Sequence, residues 1–414
     1  MKATVETYGC PSNKARGEII KGLLERRGCE IVKNQDLADI LILNTCAAKD
    51  STKKRLINRL DDWTKNYSER DVMVAGCMPQ ATYGKAKDIA PQASLVGPNN
   101  CKDVPRAVKK IKEGNPVEYL DDKKEKRSCL PRIRKNKLIE ICEITRGCFW
   151  KPKHKTRSYE MSSILEEIKR STRSGCKEVW LASRDAAFYG NDIGKSLPEL
   201  LNNVVKIPGR FRVKVGMMKV DSIQPILDEL LNAYNTKEIY SFLHLPLWSG
   251  SNKVLRKMDM GYTAEDFKET VKTFKKRIPE LNLKTDIIIG LPGENKEDFE
   301  LTMDILEEIK LDRVDVKIFR GTENTVDEET KKERYERLSK IAKNIRMERL
   351  ESFVGQEKEV LVIEKNNKGW VGRDKTYRNI FLGEGEKSIG DLLNVRTTSR
   401  RFSGLIGSKI KYRD

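Results

Sequence analysis

The sequence predicts an α/β protein in three parts: a doubly wound α/β domain, a partial barrel of six β/α units, and a small antiparallel β-barrel. Three observations carry this reading. Strand and helix periods alternate from residue 1 to about 115, and the alternation restarts at Leu138 for six further units. From about Gln356, β-branched runs split by Gly and Asn turns replace it.

In the first part, "KATVETYG" reads as a strand and "KARGEIIKGLLERRG" as an amphipathic helix closed by Gly28. "ADILILNTC" is a nearly continuous apolar strand, suited to a parallel sheet buried on both faces. The helix "STKKRLINRLDDWTKNY" and the strand "DVMVAGC" follow. The expected boundaries are residues 1–115 for this domain and 116–137 for a charged linker containing "DDKKEKRSCLPRIRKNK". The second part, residues 138–353, places strands at "LIEICEI", "EVWLAS", "RVKVGMM", "IYSFLHL", "KTDIIIG" and "RVDVKIF", with helices between. Loops at the strand C-termini of such a barrel form its site. The third part, residues 354–414, holds "KEVLVIEKNNKGWVGRDKTYRNIFLG" and "LLNVRTTSRRFSGLIGSKI".

A net charge of +19 suggests a polyanionic partner, most simply nucleic acid. A Lys/Glu-rich surface of thermophile type is the plainer alternative. No apolar run reaches the ~18 residues of a membrane helix, and "MKATVETYGC" is a strand rather than a secretory signal. The expectation is a cytoplasmic protein without membrane contact. Nine cysteines in a reducing compartment point to metal, redox or packing roles rather than a disulfide framework. With only His154 and His244 present, His-rich zinc chemistry is disfavoured.

Cys10, Cys46 and Cys77 form the strongest pattern, each following a predicted strand of the first domain: "TYGC", "LNTC", "VAGC". Parallel strands of a doubly wound sheet end on one edge, where ligands bind. Three thiolates without a histidine suit an iron–sulfur cluster better than zinc, and a [4Fe–4S] cluster on three cysteines leaves one iron open. Cys29, Cys101, Cys129, Cys142 and Cys176 lack this pattern and read as packing or surface residues.

"TYGC…LILNTC…VAGCMPQ", the six-unit domain and the basic tail together resemble the methylthiotransferase family of radical S-adenosylmethionine (SAM) enzymes. "PRIRKNKLIEI", "KVGMM", "FLHLPLWSGSNKVLRKMDMGYT" and "TDIIIGLPGENKEDF" are similar to its archaeal and eukaryotic branch, which acts on N6-threonylcarbamoyladenosine in tRNA. The resemblance covers essentially the whole chain. It implies a radical-SAM partial barrel, a C-terminal RNA-binding TRAM domain, two [4Fe–4S] clusters and S-adenosylmethionine. One S-adenosylmethionine would donate methyl and another would be cleaved to a radical, with sulfur added at the open iron of the first cluster. It further implies methylthiolation at C2 of the nucleoside at tRNA position 37 and a reductant such as flavodoxin or ferredoxin, and nothing in the sequence requires more than a monomer.

One loop departs from that family. Radical-SAM enzymes hold the cleaving cluster with C-x-x-x-C-x-x-C after the first barrel strand. Here Cys148 matches the first ligand, but Pro152 and Lys155 stand where the others are expected. A second shortening falls at "VKIFRGTENTVDEETKK". Three readings stay open: a fuller loop with two more cysteines, a cleavage-inactive iron–sulfur tRNA-binding paralogue, or an altered cluster on Cys148 and His154.

By position, Ser183, Arg184 and Asp185 sit at the barrel mouth, where the resemblance implies cofactor or substrate contacts and a helix cap is the plainer role. In "IIIGLPGE", the resemblance puts the adenine side of S-adenosylmethionine near Gly290, Pro292 and Gly293; the alternative is a simple turn. His244 ends the fourth strand as a core, mouth-lining or catalytic residue, and Trp248 stands where the family has Gln. In the tail, Trp370, Arg373, Lys375, Tyr377, Arg378, Arg396, Arg400, Arg401 and Phe402 offer cations for phosphates and rings for unpaired bases.

Overall fold

The structure is a computed structural model that describes every residue except 47–49, 82, 122–126, 148–155, 322–325, 368, 386 and 411–414. The chain divides into two compact units, Met1–Ser171 and Thr172–Asp414.

The first unit contains β1 (Lys2–Thr7), α1 (Pro11–Glu25), β2 (Glu30–Ile31), β3 (Ile40–Thr45), α2 (Asp50–Asn66), β4 (Asp71–Gly76), α3 (Met78–Ala81) and α4 (Tyr83–Ile89). It continues through β5 (Ser94–Val96), α5 (Val104–Lys112), β6 (Glu118–Tyr119), β7 (Ile139–Glu143), β8 (Thr145–Arg146), β9 (Arg157–Ser158) and α6 (Met161–Arg173). Six strands form one parallel sheet in the order β2-β1-β3-β4-β5-β6. Helices cover both faces, which is why β3 is apolar throughout its first four residues and buried along its whole length. Ile19, Ile20 and Leu24 of α1 pack on one face with Val104 and Val108 of α5. Leu56, Leu60 and Trp63 of α2 pack on the other with Ala86 of α4. The strand order reverses between β1 and β3, which sets the ligand-binding crevice of such a sheet there.

The second unit runs through β10 (Glu178–Ala182), α7 (Leu197–Val204), β11 (Arg212–Val215), α8 (Val220–Ile223), α9 (Leu227–Tyr234), β12 (Phe242–His244), α10 (Asn252–Lys257), α11 (Ala264–Arg277), β13 (Asn282–Ile289), α12 (Lys296–Ile309), β14 (Arg313–Ile318) and α13 (Glu328–Glu351). It ends with β15 (Glu357–Asn366), β16 (Gly369–Arg373), β17 (Asn379–Leu382), β18 (Leu392–Arg401) and β19 (Gly404–Lys409). Strands β10 to β14 run parallel, with isolated bridges at Val213–Ile239 and Met217–His244 leading from β11 towards β12. Capping boxes at Thr263/Asp266 and Asn295/Asp298 start α11 and α12 where the sequence changes from loop to amphipathic helix.

The tail closes into a five-stranded barrel, β15-β16-β17-β19-β18. The expected antiparallel pairing holds at every seam except β17–β19, which is parallel. An odd number of strands cannot alternate direction all the way round a closed ring, so one seam must be parallel. Among the described residues no helix is long and apolar enough to cross a membrane.

Candidate iron–sulfur site and its surroundings

Cys10, Cys46 and Cys77 follow β1, β3 and β4, three adjacent strands of the first unit's sheet. Adjacent strands lie about 5 Å apart, so their ends deliver the three thiols to one edge, at the point where the strand order reverses. Cys10 is open to solvent, Cys77 half-buried and Cys46 buried. The hydrogen bond shared with Cys46 pushes the Cys10 pKa well up, and the charges of Cys46 and Cys77 add to it. Metal must therefore displace protons from this group as it binds.

Local sequence explains the convergence. Gly9 has φ +118°, and a Cβ there would lie 2.1 Å from Cys46 Cβ and 2.9 Å from its Sγ. Gly76, at φ +91°, turns the chain off β4 so that a Cβ would meet Thr45 O at 2.4 Å. Thr45 Oγ1 accepts from Met78 N at 3.0 Å and donates to Ala75 O at 2.6 Å. Asn13 Nδ2 donates to Tyr8 O at 2.7 Å and Asn44 O at 3.3 Å, while Asn44 Nδ2 donates to Asn13 O at 2.9 Å. These two buried amides tie the Cys10 and Cys46 loops together. Sequence reasoning missed Gly9, Asn13, Asn44 and Thr45; the Gly–Cys dipeptides were the available signal.

Among the described residues no three Cys, His, Asp or Glu side chains converge as ligands of a single ion. A cubane cluster instead takes its thiolates at separate corners, and an all-thiol, histidine-free set at one strand edge fits it. The other loop does not fit. Cys148, Pro152, His154 and Lys155 lie outside the described residues, and the sequence has no further cysteine between Cys148 and Cys176. Cys142 and Cys176 are buried, at 1% and 2% exposure.

The other predicted residues fall into separate places. Ser183 Oγ accepts from Asp185 N at 3.1 Å, a local turn after β10; Arg184 is half-buried beside it. Asp185, 6% exposed, accepts from Lys219 N at 3.2 Å and Ser222 Oγ at 2.6 Å, so it braces the neighbouring loop. Gly290 donates its N–H to Glu294 Oε2 at 2.7 Å, and Glu294 is held by Arg334 at 2.6 Å. Pro292 and Gly293 line a cavity of about 180 Å³ with Val254, Lys257, Met258 and Leu291. A Cβ on Gly293 would meet Lys257 Nζ at 2.2 Å, so glycine leaves the ammonium its place there.

Inside the second unit, one face of the parallel strands is charged. His244 Nε2 lies 3.2 Å from Asp286 Oδ2, which Lys317 also approaches at 3.2 Å. Burial lowers the His244 pKa to about 4, outweighing the Asp286 hydrogen bond and charge that raise it, and Lys284 and Lys214 add to the lowering. Burial alone would raise Asp286, but His244, Lys317 and Lys284 hold its carboxyl well below the usual range. Trp248 takes φ +63°, with Lys317 Nζ 4.7 Å from its ring centroid.

The tail candidates divide in two. Arg373 pairs with the fully buried Glu178, Lys375 Nζ donates to the carbonyls of Thr236 (2.6 Å) and Ile239, and Arg378 pairs with Asp312 at 2.7 Å. Tyr377, at φ +62°, packs its ring 5.0 Å from Tyr240 and 5.1 Å from Phe242. Lys214 lies beneath these rings, 5.0 Å from Tyr377 and 4.8 Å from Trp180; burial and Arg373 lower its pKa to about 7. These four tail residues are thus turned onto the base of the parallel strands. The others face outward or lie on the small barrel. Trp370 carries Lys365 at 5.0 Å, and Arg396 pairs at the surface with Glu357. Arg400 pairs with Glu351, Arg401 lies 3.7 Å from the Phe381 centroid, and Phe402 is 56% exposed.

Residues 2–97 match the family described as "Uncharacterized protein family UPF0004", and residues 141–306 match the radical SAM superfamily. A likeness of fold extends to the cobalamin-dependent S-adenosylmethionine radical enzyme OxsB (TM-score 0.51, 13% identity, 82% of this chain and 56% of that one). The two family matches thus define a radical SAM protein with an added N-terminal parallel-sheet domain. A probable threonylcarbamoyladenosine tRNA methylthiotransferase of Methanothermobacter thermautotrophicus is 33% identical over 97% of this chain and 98% of its own length. The Drosophila melanogaster threonylcarbamoyladenosine tRNA methylthiotransferase is 32% identical over 98% of this chain and 77% of its own. The chain belongs to the threonylcarbamoyladenosine tRNA methylthiotransferase family. Membership implies a [4Fe–4S] cluster, S-adenosylmethionine and a tRNA substrate, and the matched N-terminal family suggests a second cluster.

Proposed function

We propose that this chain is a tRNA methylthiotransferase that adds a methylthio group to C2 of N6-threonylcarbamoyladenosine at tRNA position 37. The observation that carries the reading is full-length likeness to such enzymes together with three thiols at three adjacent strand ends. In this reading Cys10, Cys46 and Cys77 hold one [4Fe–4S] cluster, whose open iron supplies the sulfur chemistry. Residues 1–115 form that domain, 116–137 a linker, 138–353 the radical-SAM barrel and 354–414 the TRAM domain. Ser183, Arg184 and Asp185, with Gly290, Pro292 and Gly293, frame the S-adenosylmethionine side. Trp370, Arg396, Arg400, Arg401 and Phe402 meet RNA directly, while Arg373, Lys375, Tyr377 and Arg378 support them from within. A flavodoxin or ferredoxin reduces a cytoplasmic monomer.

The cysteine census favours one second reading. With Cys148 as the only cysteine of its loop, no cleavage step is assigned to residues present in this sequence. The alternative is an iron–sulfur tRNA-binding protein that has kept only the N-terminal cluster. Iron content after anaerobic reconstitution, with 5′-deoxyadenosine assayed on the same sample, separates the two. About eight irons per chain with 5′-deoxyadenosine formed support the enzyme. About four irons and no cleavage establish the binding protein.

A further inference from the structure

Arg16 lies on α1, two turns from Cys10, and is 7% exposed. Its Nη1 donates to Asn13 Oδ1 at 2.9 Å, and Asn13 is the amide that ties the Cys10 and Cys46 loops together. Its remaining charge contact is loose: Nη2 stands 3.6 Å from Glu143 Oε1. Glu143 is already held by Arg127 at 2.7 Å, and Arg127 also donates to Asn99 Oδ1 at 3.0 Å and to Pro98 O. Two buried guanidiniums therefore share one buried carboxylate. Among the described residues Arg16 Nε has no hydrogen-bond partner. The thiols of Cys77 and Cys101 and the Tyr159 phenol also lie within electrostatic reach of Arg16.

A buried cation with an unpartnered donor is costly unless an anion completes it. Of the acidic groups that share the field of Arg16, Cys77 belongs to the candidate cluster site, where a bound cluster would hold it as a thiolate. We propose that Arg16 is the counter-charge of the N-terminal cluster: its guanidinium compensates thiolate and cluster charge on the Cys77 side and makes the cluster easier to reduce. Reduction adds one negative charge to the cluster, which a fixed cation nearby stabilises. Arg16 is a positioning and tuning residue here, since it touches the ligand loops through Asn13. The inference rests on the reading that Cys10, Cys46 and Cys77 hold a cluster.

The test uses the full chain in a Cys148→Ala background, so that only the N-terminal site is read. Iron and sulfide are counted after anaerobic reconstitution, and the cluster is titrated with reductant under EPR. Arg16→Gln removes the charge but can still donate to Asn13; Arg16→Lys keeps the charge. The expected result is equal iron in all three proteins, with the reduced-to-oxidised ratio of Arg16→Gln at least ten-fold lower at the parent's midpoint potential. That corresponds to about 59 mV for one electron, and Arg16→Lys stays near the parent. Loss of iron from Arg16→Gln alone supports the same role. Equal potentials in all three, or equal shifts or iron losses in both variants, overturn it. A parent that binds no iron refutes the cluster reading itself.

Discussion

Gly9→Ala tests how closely the cysteine loops must approach. The new Cβ would lie 2.1 Å from Cys46 Cβ, far inside van der Waals contact, and the backbone holds φ +118°. A side chain in such a Gly-only region costs about 1–3 kcal/mol. Forcing a methyl group into a packed contact costs about 1–3 kcal/mol more. The sum, about 2–6 kcal/mol, is a large share of the roughly 5–15 kcal/mol that holds a domain folded. Gly28→Ala is the matched control, with φ +80° but nothing within 4 Å of its Cβ. It incurs the backbone cost alone. Urea unfolding of the apo-protein, followed by circular dichroism, should rank Gly9→Ala below Gly28→Ala by about 1–3 kcal/mol. Reconstituted Gly9→Ala should also bind less iron, because Cys46 must move. Equal stability and equal iron in the two variants would refute the argument that this glycine sets the thiol spacing.

Asp312 is 4% exposed and accepts from Arg378 at 2.7 Å and from Leu283 N at 2.9 Å. Asp312→Ala strands a buried guanidinium and should cost about 3–5 kcal/mol in urea unfolding; a loss below about 1 kcal/mol contradicts this. The His244 pKa of about 4 lies below the unfolded value, so the folded state binds fewer protons between the two and stability rises with pH there. Its contribution is complete above about pH 6.5 and falls away towards pH 4, by up to about 3 kcal/mol, and His244→Gln should flatten that slope in denaturation run from pH 7 to 4.5. Removing Arg396 and Arg400 together should lower the salt dependence of tRNA binding by roughly 1.5–2 in log–log slope, read by fluorescence anisotropy. Arg378→Ala, whose charge is spent on Asp312, should leave that slope unchanged.

The six barrel strands, the helices and the three strand-end cysteines were legible because each is local: a period, a cap or a residue after an apolar run. What joins distant segments was not. Asn13 and Asn44 are ordinary polar residues in the sequence, and only the β1–β3 pairing makes them reciprocal partners. Arg16 sits among polar helix residues and reads as solvent-facing, yet α1 is covered on that side by residues from the segment leading into β7 and from β7 itself, including Arg127 and Glu143. The basic tail misleads in the same way. Composition counts Arg373, Lys375 and Arg378 as surface cations, whereas their partners Glu178, Ile239 and Asp312 lie far away in sequence and are buried. The parallel β17–β19 seam follows from strand parity, which becomes visible only once five strands are counted in a closed ring.

The turn from Asp374 to Arg378 has a consequence for genetic dissection of this chain. It supplies Thr376 O to Asn282 Nδ2 at 2.8 Å, Lys375 O to Ser241 N at 2.9 Å and the Tyr377 ring to an aromatic floor. A gene cut after the long helix would lose more than a separate small barrel. It would uncover Tyr240 and Phe242 and take from Glu178 and Asp312 the Arg373 and Arg378 that pair with them. A tail-deleted protein that fails to modify tRNA would thus report a barrel without its floor, and point substitutions on the outer strands are the cleaner way to ask what the tail recognises.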